Sequence, residues 1–180
     1  MTLAPQFNLD AHISKTPDFP KPGIIFYDFS PALEDGAVLA QMLAALCQIA
    51  EPLRPDIIAG IDARGFLFAT PLALSMGCGA VMVRKAGKLP GEVLEKSYDL
   101  EYGAATLSLQ TSRNLAGKRV LLVDDLLATG GTVSASVDLI SKAGGIVAGT
   151  ACLIELTGLK GRDVLAAKNC PVVSLQQYEF

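Results

Sequence analysis

Residues 120–132, VLLVDDLLATGGT, constrain this chain more than any other stretch. Val120 to Val123 run straight into Asp124 and Asp125, and the small cluster Ala128-Thr129-Gly130-Gly131-Thr132 follows after Leu126 and Leu127. An apolar run without polar alternation suits a strand covered on both faces, and such strands belong to parallel sheets. The same logic extends along the chain. Gly36–Ala50 carries Val38, Met42, Ala45 and Ile49 at helical spacing, Asp56–Gly60 reads as a buried strand, Gly65–Met76 as a helix and Ala80–Val83 as a strand. Ala105, Leu107 and Leu109 alternate with polar residues, as a half-exposed strand would. Arg119–Val123 is a strand, and Thr132–Ala143 a helix with Val133, Val137 and Ile140 on one face, stopped by Gly144-Gly145. Val147–Leu153, Leu159–Ala166 and Val172–Leu175 complete the series as strand, helix and strand. The expected fold is α/β, a mostly parallel central sheet flanked by helices on both faces. Ligands of such sheets bind beyond the carboxyl ends of strands, and 124–132 lies at one of those ends.

Two regions break the pattern. Residues 1–34 contain Pro5, Pro17, Pro20, Pro22 and Pro31 and read as irregular. Residues 84–103 mix charges with little periodicity and read as one long, polar, mobile loop, which inside a compact domain is usually functional. A single domain over 1–180 is expected, because 180 residues with 51% hydrophobic and 18% charged content can bury a substantial core. The net charge of −3 gives no reason to expect nucleic acid as the main partner. No N-terminal stretch reads as a signal peptide. Gly65–Val83 could be mistaken for a membrane span, but Pro71, Gly77 and Gly79 punctuate it, so no membrane partner is expected. Cys47, Cys78, Cys152 and Cys170 are far apart without CxxC spacing, which points to reduced thiols and a cytoplasmic location. His12, the only histidine, has no obvious partner, against a His-based triad or a zinc site.

The opening motif fits a particular kind of ligand. A helix N-terminus offers backbone N–H groups and partial positive charge, and glycines before it let an anion come close. Ala128 to Thr132 therefore reads as a phosphate cradle, with Thr129 and Thr132 hydroxyls as further donors. It is neither GxxxxGK[ST] nor GxGxxG. Asp124 and Asp125 cannot serve the phosphate, but carboxylates suit sugar hydroxyls or a hydrated magnesium ion. Phosphate, hydroxyls and metal together describe a sugar phosphate. Elsewhere, Arg64 offers a fork of donors for phosphate oxygens and reads equally as a surface charge.

VLLVDDLLATGGT resembles the phosphoribosyl-diphosphate signature of type I phosphoribosyltransferases. DFPKPGIIFYDFSPAL (18–33), IAGIDARGFLFATPLA (58–73), VRKAGKLPGEVLEKSYDLEYG (83–103) and LIELTGLKGRDVL (153–165) all resemble the adenine phosphoribosyltransferase family, in its order and spacing. The resemblance implies a pentosyltransferase of purine salvage, moving ribose 5-phosphate from phosphoribosyl diphosphate to adenine and giving AMP and diphosphate. It implies that Ala128, Thr129, Gly130, Gly131 and Thr132 hold the 5′-phosphate and that Asp124 and Asp125 bind the ribose. Asp62, Ala63, Arg64 and Gly65 would form the diphosphate loop, clamped by Arg84, Lys85 and Lys88 from the start of the mobile catalytic loop (about 84–103). Glu101 would be the acid/base, with Tyr102 beside the ribose. Ile25, Phe26 and Tyr27, within an N-terminal hood of about residues 1–34, would read adenine through main chain and stacking. Magnesium would be carried mainly by substrate and water, with no protein ligand, and the enzyme would be a homodimer.

Two positions refine the expectation. Enzymes for 6-oxopurines commonly place Asp just before the Thr-Gly of the phosphate loop, whereas this chain has Ala128. The position after Phe26 is often Arg in the family and is Tyr27 here, which removes any contact that Arg would make. The competing expectations are a transferase for xanthine, guanine or hypoxanthine, and a non-catalytic regulator sensing phosphoribosyl diphosphate.

Overall fold

The computed structural model describes residues 7–99 and 103–179. The chain divides into two compact units, one up to Ala45 and one from Leu46 onward. In the first, a 3-10 turn (Leu9–His12) precedes β1 (Ser14–Pro17), β2 (Ile25–Asp28) and α1 (Ser30–Glu34). β1 and β2 pair antiparallel, with Thr16 opposite Phe26 and Lys15 opposite Tyr27. The segment expected to be irregular is thus a small ribbon. Pro5 lies outside the described residues, and the other prolines sit at tolerated positions: Pro17 ends a strand, Pro20 and Pro22 lie in the connection, and Pro31 opens α1. The connection is closed by the Gly23 N–H donating to Asp18 Oδ1 at 2.7 Å. Phe19 meets Phe26 edge to face at 5.3 Å, while Tyr27 and Phe29 are buried. α2 (Gly36–Ala50) starts as expected, because the Asp35 carboxylate accepts from the Ala37 and Val38 N–H groups at 2.8 and 3.1 Å. Met42, Leu46 and Ala50, four residues apart, form its buried face.

The second unit is a seven-stranded sheet in the order β5-β6-β4-β3-β7-β8-β9. Its strands are β3 (Ile57–Ile61), β4 (Gly79–Lys85), β5 (Val93–Asp99), β6 (Ala104–Gln110), β7 (Arg119–Leu127), β8 (Ile146–Leu156) and β9 (Val172–Tyr178). β4, β3, β7, β8 and β9 are parallel, and the β5–β6 hairpin joins antiparallel at the β4 edge. Val120, Leu121, Leu122 and Val123 are all 0% exposed, as a central parallel strand requires. α3 (Gly65–Ser75) connects β3 to β4, α4 (Gly131–Lys142) connects β7 to β8, and α5 (Gly161–Ala166) precedes β9. On the α4 face, Ala59, Ile61, Val120 and Leu122 pack with Val133, Val137, Ile140 and Leu165. The Gly65–Val83 run is a helix followed by a strand. A helical stretch elsewhere, Gly36–Leu53, has the length and composition of a span, with 18 residues and a mean hydropathy of 1.4.

Strand order places the site. From β3 the chain steps to β4 on one side, and from β7 it steps to β8 on the other. Right-handed crossovers then put α3 and α4 on opposite faces and leave a crevice between the carboxyl ends of β3 and β7. The stretch read as one loop over 84–103 departs from expectation: β4 continues to Lys85, and Val93–Asp99 is a strand paired along its length with β6. Leu94 and Tyr98 pack on the core, and Lys96 between them pairs with Asp138 of α4 at 2.8 Å. A lysine in the inward row disguised the alternation of a strand, because its counter-charge lies on a helix far along the sequence.

Candidate active site

Gly65 anchors the first loop of the crevice. The turn Asp62–Arg64 after β3 contains a cis peptide between Asp62 and Ala63, and it rests directly on β7. A methyl group on Gly65 would overlap the Val123 carbonyl oxygen and come within 3.3 Å of Asp124 Cα. Only glycine lets the two backbones approach this closely.

β7 itself runs further than its apolar residues suggest. It continues through Asp124 and Asp125 to Leu127, with Asp124 opposite Cys152 and Leu126 opposite Ile154 on β8. The acid pair therefore sits on the strand and not in the loop after it. Parallel ladder bonds to β8 prevail over the aversion of aspartate for strands. Asp125, 5% exposed, holds the half-exposed Arg64 at 2.8 Å. The Asp125 N–H donates to Asp124 Oδ1 at 2.9 Å. Burial pushes the Asp124 carboxyl well above the usual carboxylate range, the adjacent Asp125 charge pushes it further, and Arg64 opposes the shift.

After Leu127 the chain bends through Ala128 and Thr129 to Gly130, whose φ of 84° caps α4. The Ser134 N–H reaches the Gly130 carbonyl at 2.8 Å, so the earlier N–H groups of this turn have no acceptor within the helix. Gly131 and Thr132 are half-buried and Thr129 is exposed. The Thr132 hydroxyl donates to the Tyr98 hydroxyl at 3.2 Å, tying β5 to this loop. Sequence reading missed Tyr98, although the alternation of Leu94, Lys96 and Tyr98 could have found it.

The third loop follows β4. Arg84 Nε donates to Asp62 Oδ2 at 3.0 Å and its Nη1 to the Lys88 carbonyl at 3.3 Å, with the guanidinium 5.6 Å from the centre of the Phe66 ring. The Lys85 N–H also points to Asp62, at 3.4 Å, and the Lys85 and Lys88 side chains are exposed. Asp62 thus holds the Arg84 guanidinium and faces the Lys85 N–H. Glu101 and Tyr102 lie outside the described residues. Ile25, Phe26 and Tyr27 form β2, with Ile25 exposed, Phe26 half-buried and Tyr27 buried. Within the second unit, the crevice has cations and a helix N-terminus at its two ends and an acid pair between. That arrangement accepts a ligand with anionic groups at both ends and hydroxyls in the middle.

The family of the phosphoribosyl transferase domain matches residues 35–178. The adenine phosphoribosyltransferase of Rhodospirillum rubrum is 49% identical over 172 residues, covering 96% of this chain and 99% of that protein. That of Gluconacetobacter diazotrophicus is 48% identical over 179 residues, covering 99% of each. Among solved structures, the adenine phosphoribosyltransferase of Thermoanaerobacter pseudethanolicus superposes with a TM-score of 0.89 at 45% identity, covering 94% of this chain and 98% of that one. The Saccharomyces cerevisiae enzyme, solved with an imino-altritol bisphosphate and adenine, gives 0.87 at 37% identity, covering 93% and 96%. The chain belongs to the phosphoribosyltransferase family and, within it, to the adenine phosphoribosyltransferases.

The acid pair makes a prediction about stability. Folding raises the Asp124 pKa, so folding favours its protonated form. The stability this group contributes is full below the ordinary carboxylate pKa of about 4 and is lost as pH rises through the folded value. Asp124→Asn removes that loss. Its urea midpoint should exceed that of the wild type at pH 8, and the gain should shrink towards pH 4. A midpoint lowered at pH 8, or a pH-independent difference, contradicts the assignment.

Proposed function

We propose that this chain transfers the 5-phosphoribosyl group of phosphoribosyl diphosphate to N9 of adenine, forming AMP and diphosphate in purine salvage. The observation carrying this reading is the acid pair Asp124–Asp125 set between two anion-binding loops at the β3/β7 switch point. Ala128 to Thr132 hold the 5′-phosphate through the N–H groups of the α4 N-terminus and the Thr129 and Thr132 hydroxyls. Asp124 and Asp125 accept hydrogen bonds from the ribose hydroxyls. The loop Asp62–Gly65 with Arg84, Lys85 and Lys88 receives the diphosphate, and Arg64 exchanges its Asp125 partner for phosphate oxygens.

In the reaction, the bond from C1′ to the diphosphate oxygen breaks and its electron pair leaves with the diphosphate. The N9 lone pair forms the new C1′–N bond, and the N9 proton passes to the base. Positive charge on the ribosyl ring peaks between these events, which the nearby carboxylates stabilise. Glu101, with Tyr102 beside it, is the proposed acid/base. Adenine is read by the main chain at Ile25 and Tyr27 with Phe26 against its ring, the role proposed for the hood of about residues 1–34. A main-chain carbonyl suits a 6-amino group, and a 6-oxo group there would leave buried groups unpaired.

Magnesium, held mainly by substrate and water, would supply charge neutralisation on the diphosphate. The proposed enzyme is a cytoplasmic homodimer with neither nucleic-acid nor membrane partners. Leu67 and Leu74, seven residues apart on α3 and 51% and 83% exposed, give an uncovered apolar strip that supports self-association.

The test offers phosphoribosyl diphosphate and magnesium with adenine, hypoxanthine, guanine or xanthine and follows diphosphate release. Release with adenine, exceeding the other bases by at least ~100-fold in kcat/KM, is expected. Preference for a 6-oxopurine, or no release with any base, rejects the reading. Glu101→Gln should lower kcat by ~10²–10⁴-fold with little change in donor affinity. Unchanged turnover removes Glu101 from the mechanism.

A further inference from the structure

The segment 153–165 resembles the family, yet no step above uses it. After β8, a 3-10 turn (Thr157–Leu159) leads to Lys160, whose φ of 57° turns the chain into α5. That turn carries the buried Gly161 onto the back of the loop 128–132. A methyl group on Gly161 would overlap the Ala128 carbonyl oxygen and lie 3.0 Å from both the Gly130 nitrogen and Leu127 Cδ1. A methyl group on Gly130 would lie 2.9 Å from the Gly161 carbonyl oxygen. Two backbones touch here with no side chain between them.

The next residue fixes this contact to the sheet. Arg162 donates from Nε and Nη2 to the two oxygens of Glu155 at 2.8 and 2.5 Å, and from Nη1 to the Val172 carbonyl at 2.8 Å. Glu155 on β8 is 2% exposed and also accepts from Ser174 Oγ at 2.9 Å and Gln177 Nε2 at 3.2 Å. Burial works to raise its pKa, but these donors, Arg162 foremost, hold the carboxyl below the usual range. A planar fork on a buried carboxylate defines direction as well as distance. The clamp spans β8, α5 and β9, so Gly161 has little freedom to retreat from the loop.

We propose that Gly161, held by the Arg162–Glu155 clamp, is a positioning residue that sets the aperture of the 128–132 loop for a phosphate monoester. Gly161 touches no substrate and acts through the Ala128 carbonyl and the Gly130 nitrogen. The proposal rests on the donor reading above, in which this loop holds the 5′-phosphate. It separates the two anion sites of the crevice, because the diphosphate loop 62–65 does not depend on the clamp.

The test is Gly161→Ala in the full chain, assayed for AMP formation with inhibition by ribose 5-phosphate and by inorganic diphosphate. Donor KM and the ribose 5-phosphate inhibition constant should both rise by ~10-fold or more, since displacements of about 1 Å can cost 10²-fold. The turnover number at saturating donor and the diphosphate inhibition constant should stay within about twofold. A merely damaged fold would move all four together, and that outcome, like unchanged ribose 5-phosphate inhibition, overturns the proposal. If Gly161→Ala does not fold, Arg162→Lys keeps the charge without the fork and should give the same split at about threefold; wild-type behaviour of Arg162→Lys overturns it. A wild type that forms no AMP rejects the donor reading itself. An active wild type with an unmoved split rejects only the role of Gly161.

Discussion

The rest of the site depends on Gly65 seated against the Val123 carbonyl. This contact fixes the turn after β3 to β7 at the point where the apolar run of β7 meets its aspartates. Because β3 and β7 are parallel neighbours that feed crossovers in opposite directions, a crevice opens above this contact. Arg64, next to Gly65, is thereby brought to Asp125, and α4 is brought with its N-terminus towards the same crevice. A side chain at position 65 would push these elements apart, and the two anion sites would lose the spacing a single ligand needs.

The charges around that contact balance one another. Arg64 pairs with Asp125, and Arg84 pairs with Asp62, so the two arginines proposed for the diphosphate are already partnered. In both pairs the carboxylate is nearly buried while the guanidinium stays partly exposed. Such a pair orients the cation, which in the proposed reading exchanges its carboxylate for diphosphate oxygens. Asp124 behaves differently. Enclosed beside a second acid, it is costly to ionise, and that cost falls at a position proposed to bind the ribose through a carboxylate.

Much of this was legible in the sequence, and the exceptions have physical causes. Elements with clear apolar patterning, such as the unbroken run Val120–Val123 and the helical spacing of Val133, Val137 and Ile140, stand where the sequence pattern puts them. The strand through Asp124 and Asp125 was cut short because ladder bonds to β8 are invisible to local composition. β5 was hidden by Lys96, whose partner Asp138 is remote in sequence. The β1–β2 ribbon was hidden by prolines that fall only at tolerated positions. The motif proposed for the donor is contiguous in sequence, so its chemistry can be read from local composition. The Gly130–Gly161 contact and the Arg162–Glu155 clamp could not, since each joins residues whose adjacency exists only once the sheet has formed.

In the proposed reading, three strand ends, those of β3, β4 and β7, build one site for one donor molecule. Calorimetric titration of magnesium phosphoribosyl diphosphate in the absence of purine tests it most directly, in the wild type and in Arg64→Ala, Arg84→Ala and Thr132→Val. One molecule should bind per chain, and each substitution should weaken binding by ~10-fold or more, the loss expected for a hydrogen bond to a charged group. Binding unchanged by a substitution in any one of the three loops would contradict the account.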